Sequence, residues 1–260
     1  MKQNEILFLG TCACDYSPLL QTTYKDCFDK DARRSSCALV NGQYLLDCGE
    51  HCMDSLRIAK VNLAQITDIF VTHLHSDHYN KENIALIANA SERVLRVWVR
   101  EDAKVPDIPN VEWKYMRKAT EYVVCDNVKV TGLLANHDAG CYPQHILLEV
   151  DGKKMLYALD GAWFLNETYY AIKNANLDLL VLDCTCGDYE GDYRIGEHNT
   201  VPMIRLMLPS LKKWGTIAEK TKVFVSHLAP SLHKSHEETV ELFKKDNVFV
   251  AYDGLMVECV

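Results

Sequence analysis

The sequence predicts an α/β fold, a sandwich of two strand-rich halves whose sheets are covered by helices. Three observations carry that expectation. Apolar, β-branched runs alternate with turn residues along all 260 residues, with no linker, repeat or low-complexity tract. Stretches with apolar residues at helical spacing fall between those runs. A composition of 48% hydrophobic and 25% charged residues suits a chain that buries one large core, so a single domain over residues 1–260 is expected.

The elements follow in order. "EILFLGT" reads as an opening strand, and "CALVNGQYLLDCG" as a hairpin in which Asn41-Gly42 supplies positive φ angles. Residues 52–60 suit a helix leading to the strand "TDIFVTH". "NKENIALIANASERV" is helix-like and "VLRVWVRE" strand-like. "NVKVTGLLANH", "HILLEVDGKKMLYALD" and "LDLLVLDCT" read as strands. "VPMIRLMLPSLKKWG" is a helix stopping at Gly215, and "KVFVSH" and "NVFVAYDGLMVECV" close the chain as strands.

Bulk properties exclude some functions. Lys+Arg 28 against Asp+Glu 36 gives a formal net charge of -8, which disfavours a broad grip on a nucleic-acid backbone. No window of about 18 apolar residues suggests a membrane span, and the opening apolar run is too short for a signal peptide. The eleven cysteines are odd in number, and Cys12/Cys14 and Cys184/Cys186 stand too close for easy bridging. Free thiols in a reducing cytoplasm are the expectation.

The chemistry concentrates in "DIFVTHLHSDHYN". On an extended segment His73 and His75 point to one face, while Asp77 and His78 follow the turn and approach from another direction. That arrangement suits two adjacent metal ions, and imidazole and carboxylate are ligands for zinc, manganese or iron. The same grammar, a strand-like run ending in one ligand, recurs at His137, Asp160 and His227. Strand ends are where a rigid sheet can hold a site.

These residues resemble the metallo-β-lactamase superfamily, whose H-x-H-x-D-H motif is matched by His73, His75, Asp77 and His78, with the downstream ligands in order. The likeness runs from about Ile6 to "AYDGLMVE" and implies a four-layer αββα sandwich. By resemblance, His73, His75 and His137 hold one divalent ion, and Asp77, His78 and His227 hold a second. Asp160 bridges them, and Asp47 of "LLDCG" orients the histidine loop. Zinc or manganese is implied ahead of iron.

His198 in "GEHNT" looks like the extra histidine of the phosphodiesterase branch, and the layout is most similar to the phosphoribosyl cyclic phosphodiesterase of phosphonate breakdown. The sequence departs from that enzyme's structural-zinc pattern, because Cys12, Cys14, Cys27 and Cys37 are spread out and Pro230 stands three residues after His227 in place of a histidine. Two ions roughly 3.5 to 4 Å apart bring a shared water to near-neutral pKa. The expected reaction is hydrolysis of a phosphodiester, in a small or cyclic molecule, by that bridging hydroxide. His198 serves as general acid or phosphate contact, and Asp77 is counted as catalytic as well as ligating. The alternatives are hydrolysis of a lactone, thioester or β-lactam on the same ions, and a non-enzymatic or redox metal sensor. The substrate is the expected partner, with no membrane and no nucleic acid required, and a homodimer is compatible with the sequence.

Several of these residues also have a purely structural reading. His198 could instead cap the helix that starts after "HNT", and His51 and His145 read as surface or satisfied core histidines. His233 and His236 read as a solvated helix start with Ser235 and Glu238 as a capping box, or else as a further metal site. Cys12 and Cys14 read as small buried hydrophobes or as redox groups beside the site. Arg33 and Arg34 read as phosphate contacts or as a solvated charge run.

Overall fold

The computed structural model of the chain describes residues 4–22 and 27–258. The first sheet begins with β1 (Glu5–Gly10), β2 (Cys37–Val40), β3 (Tyr44–Leu46), β4 (Asp68–Phe70), β5 (Leu95–Arg100) and β6 (Val111–Met116). The second takes β7 (Glu121–Cys125), β8 (Val128–Leu134), β9 (Gln144–Val150), β10 (Lys153–Ala158), β11 (Leu179–Asp183), β12 (Lys222–Ser226) and β13 (Phe249–Val250). The chain then returns to the first sheet as β14 (Met256–Glu258). The spatial orders are β14-β1-β2-β3-β4-β5-β6 and β13-β12-β11-β10-β9-β8-β7. Each sheet is mixed: β14 to β3 pair antiparallel and β3 to β6 parallel, while β7 to β10 pair antiparallel and β10 to β13 parallel.

Strand parity builds the layers. Ile6, Phe8, Leu46 and Phe70 of the first sheet face Val130, Ile146, Leu148, Tyr157 and Phe224 of the second in one buried cluster between the sheets. Their neighbours Leu7, Leu9, Leu45 and Ile69 point outward onto Leu56 of α2 (Cys52–Ile58) and Ile84 and Ile87 of α3 (Lys81–Asn89). On the far side Leu156, Leu180, Leu182 and Val225 pack under Ile204, Met207 and Leu211 of α5 (Val201–Lys213) and Phe243 of α6 (His236–Phe243). Successive side chains thus serve opposite faces, giving the expected αββα sandwich. Two short helices, α1 (Pro18–Thr22) and α4 (Asn166–Ala171), complete the set.

Local signals are met where they are chemical. Asn41 and Gly42 take φ of 52° and 72° in the β2–β3 turn. Thr200 caps α5 by accepting the Met203 N–H, and the helix ends before Gly215 at φ 68°. Ser235 and Glu238 form the capping box of α6.

The differences also have physical causes. The strands β6 and β7 lie at the sheet edges with several exposed side chains, so "VEWKYM" and "EYVVC" lack the dense apolar runs of central strands. The helix α4 has six residues and buries Thr168, too little for a helical stripe. The closing run "NVFVAYDGLMVECV" is two strands in different sheets, joined by a crossing at 251–255. There Gly254, at φ 88°, packs where a Cβ would lie 2.5 Å from the Phe28 ring, and its N–H donates to the Phe8 carbonyl. Among the described residues no helix is long and apolar enough to cross a membrane.

Candidate metal centre

The site residues sit where strands of both sheets end. Asp47 follows β3, the loop carrying His73 to His78 follows β4, and His137 lies just past β8. Asp160 follows β10, Asp183 ends β11, and His227 follows β12. Asp47, Asp160 and His227 have φ of 63°, 52° and 59°. Left-handed backbone at a non-glycine costs on the order of 1–3 kcal/mol, and here it turns three candidate site side chains to one point. Gly49 makes the loop's position achievable, since a Cβ there would lie 1.8 Å from the Asp77 carbonyl oxygen.

The seven candidate ligands named from the sequence converge. His75 Nδ1 lies 3.0 Å from His73 Nε2 and 3.2 Å from His137 Nε2. Asp160 Oδ1 stands 3.8 and 3.7 Å from the His73 and His137 nitrogens. In a second group, His78 Nε2 is 3.2 Å from both Asp77 Oδ2 and His227 Nε2. Asp160 Oδ2 lies 2.9 Å from His78 Nε2 and 3.1 Å from His227 Nε2. The two oxygens of Asp160 therefore address different groups. Most of the cluster is buried, with His75, its side chain 42% exposed, forming the mouth.

These atoms suit metal ions. Nitrogens 3.0 to 3.2 Å apart match donors sharing an ion with bonds of about 2.0–2.1 Å. Asp160 Oδ2, though buried and close to two imidazoles, has hydrogen-bond geometry to neither. The groups His73/His75/His137 with Cys141, His73/Asp77/His78, and Asp160/Asp183/His198/His227 each bring their ligand atoms within 4.8 Å of one another.

The charge balance supports the same fit. Burial pushes the Asp160 carboxyl up, but the neighbouring imidazoles, His227 and His78 foremost, hold it well below the usual carboxylate range. Burial pushes His78 down, and Asp160, Asp77 and Asp47 outweigh it, so its pKa stands well above the ordinary value. His227, opposed by burial and raised by Asp160 and by hydrogen bonds to Asp183 and Asp77, reaches about 10. Protons thus neutralise the second group's carboxylates, and a cation entering there would replace them.

A supporting ring fixes the candidate ligands. Asp47 accepts hydrogen bonds from the Thr72 N–H at 2.7 Å and hydroxyl at 2.9 Å, and its other oxygen lies 2.7 Å from His78 Nδ1. Thr185 Oγ1 lies 2.7 Å from His227 Nδ1. His198 Nδ1 lies 2.8 Å from Asp183 Oδ2, and its ring stacks on His227 at 5.5 Å and sits 5.0 Å from His137. The α5 cap is Thr200, so His198 is not needed there. Sequence reasoning missed Asp183, Thr185 and Cys141; Asp183 and Thr185 stood inside "LDLLVLDCT" as ordinary strand-end residues.

The other candidates are placed elsewhere. Arg33 and Arg34 are buried structural groups, neither solvated nor at the site. Arg33 donates to Thr11 Oγ1 and the Ala251 carbonyl and meets His236 Nδ1, while Arg34 pairs with Asp54 at 2.8 Å. His236 is accordingly buried, not solvated, and His233 Nε2 lies 2.7 Å from the Cys184 carbonyl; neither joins a metal-holding group among the described residues. His51 is half-buried and its N–H donates to Ser35 Oγ. His145 is buried as a core residue, yet neither ring nitrogen has a hydrogen-bond partner. Cys12 is buried and Cys14 exposed, and the ten described cysteines are free, Cys259 lying outside the described residues.

The fold and these ligand clusters define a metallo-β-lactamase-fold protein. Residues 27–92, which carry Asp47 and the histidine motif, match the family "Anti-Pycsar protein Apyc1". Among solved structures, a diphosphatase from the PhnP family is 15% identical with TM-score 0.71, covering 97% of this chain and 96% of that one. Zn(2+)-bound PqqB from Methylobacterium extorquens is 15% identical with TM-score 0.73, covering 97% and 99%. The short form of human tRNase Z is 17% identical with TM-score 0.65, covering 98% and 99%. No curated protein sequence matches the chain.

Proposed function

We propose that the protein is a metal-dependent hydrolase that cleaves a phosphodiester in a small or cyclic molecule. The observation that carries the reading is Asp160, whose oxygens face two separate ligand groups 2.9 to 3.8 Å away. On this reading His73, His75 and His137 hold one divalent ion, zinc or manganese, and Asp77, His78 and His227 a second, with Asp160 shared. When bound, the pair supplies Lewis acidity and a water that ionises near neutral pH. Asp47 fixes the tautomer and direction of His78 through Nδ1, and Thr185 does so for His227.

His198 supplies what the ligands do not. Asp183 engages its Nδ1, which leaves Nε2 to face a substrate between His137 and His227. Burial pushes its pKa down, but Asp183 raises it above the ordinary value, which favours the protonated imidazole that a leaving alkoxide would draw on. The fold shared with a diphosphatase and a tRNase agrees with phosphate chemistry.

The test is His198→Ala with metal content measured in parallel. Turnover of an unactivated phosphodiester is expected to fall by about 10²- to 10⁴-fold with the ions retained. The loss should be smaller for a p-nitrophenolate leaving group, which needs little protonation. An equal loss on both substrates would assign His198 to phosphate positioning. No loss on either would remove it from the reaction and favour lactone or thioester hydrolysis.

A further inference from the structure

We propose that Cys141 is an additional, sulfur ligand of the first metal position, beside His73, His75 and His137; the inference rests on the two-ion reading above. Four ligand atoms, the Cys141 Sγ and one nitrogen from each histidine, lie within 4.8 Å of one another. Cys141 is 6% exposed, so its thiol is confined against those rings. The confinement is built by the backbone. Leu74, between His73 and His75, donates its N–H to the Cys141 carbonyl at 3.0 Å, tying the histidine pair to the turn that holds the thiol. That turn, Ala139–Cys141, is closed by Asp138, whose Oδ1 accepts the Gly140 N–H at 2.8 Å, and by Tyr142 in the left-handed region at φ 60°.

The Cys141 thiol donates to the Asp138 carbonyl at 2.9 Å, a weak bond that an incoming ion can replace. On ligation the S–H bond breaks, its electron pair forms the metal–sulfur bond, and the proton passes to solvent. In a tetrahedral site with zinc–sulfur and zinc–nitrogen bonds of about 2.3 and 2.0–2.1 Å, sulfur and nitrogen stand about 3.6 Å apart, so ligation draws the Cys141 side chain in towards the histidines. The consequence is selection. Imidazole and carboxylate accept manganese as well as zinc, and a thiolate tilts the position further towards softer ions such as zinc or cobalt.

Full-length protein reconstituted with cobalt(II) tests this without an activity readout. Wild type is expected to show sulfur-to-cobalt charge-transfer absorption in the near ultraviolet. Cys141→Ser should lose that band and keep the ligand-field bands of nitrogen-bound cobalt, while Cys14→Ser, altering the exposed thiol, should keep both. Two bound cobalt ions in wild type without a charge-transfer band would overturn the sulfur ligand and leave the two-ion reading standing. A band that survives Cys141→Ser would also overturn it. Wild-type protein that binds no cobalt would overturn both. A wild-type spectrum without the band refutes the sulfur ligand whether or not a variant folds, while assignment of an observed band to Cys141 rests on the contrast between the two variants.

Discussion

Asp160 is the residue on which the centre turns. Its φ of 52° aims a carboxylate between two groups of imidazoles, and its Oδ2 has no hydrogen bond there. A ligand belonging to two positions should matter to both, so Asp160→Ala is expected to lower metal content from close to two ions per chain to below one, by elemental analysis. Retention of both ions would mean that Asp160 is not shared. The clustering of these candidate ligands was legible because two-residue spacing on an extended segment and single His or Asp residues after strand-like runs are patterns that periodicity exposes. Cys141, Asp183 and Thr185 were not, because a turn cysteine and a strand-end Asp-x-Thr have no distinctive spacing; only the crossing of distant strands gives them partners. Arg33 and Arg34 looked like surface charge for the same reason, since their acceptors Thr11, Ala251 and Asp54 are scattered along the chain.

At the level of elements, the sequence shows what is buried on both faces and hides what lies at edges. The central strands β10, β11 and β12 stood out as apolar runs, while β6 and β7, half in solvent, did not. The crossing between β13 and β14 hid inside one apolar run, and its key residue is polar. Asp253 is buried there, accepting the Thr11 hydroxyl at 2.8 Å and the Arg34 N–H at 2.7 Å. Burial pushes its carboxyl up to about 6 against those bonds and the charge of Arg33. With a folded-state pKa above the ordinary 3.8, its stabilising contribution is complete below about pH 4 and is lost as pH rises through 6. Asp253→Asn should remove that window. Between pH 4 and 7 the wild type is expected to lose about 3 kcal/mol relative to the variant in denaturant unfolding. Parallel pH profiles for the two proteins would contradict it.

At the scale of the whole molecule, two seven-stranded mixed sheets meet face to face and send their strand ends to one edge, where residues from both halves of the chain assemble the centre. This explains how His78 comes within 3.2 Å of His227 across 149 positions of sequence. The layered architecture was legible because strand parity and helical spacing are local, whereas the choice of substrate depends on loop surfaces that no local pattern encodes. Turnover therefore decides the substrate class. The most direct measurement is an assay of the protein stripped of metal and then reloaded with zinc or manganese, presented with bis-p-nitrophenyl phosphate, cyclic nucleotides and simple lactones. The expected result is hydrolysis of one or more phosphodiesters that vanishes on stripping, returns on reloading, and exceeds any lactone turnover. Metal-dependent lactone hydrolysis with inert phosphodiesters, or full activity in the stripped protein, would contradict it.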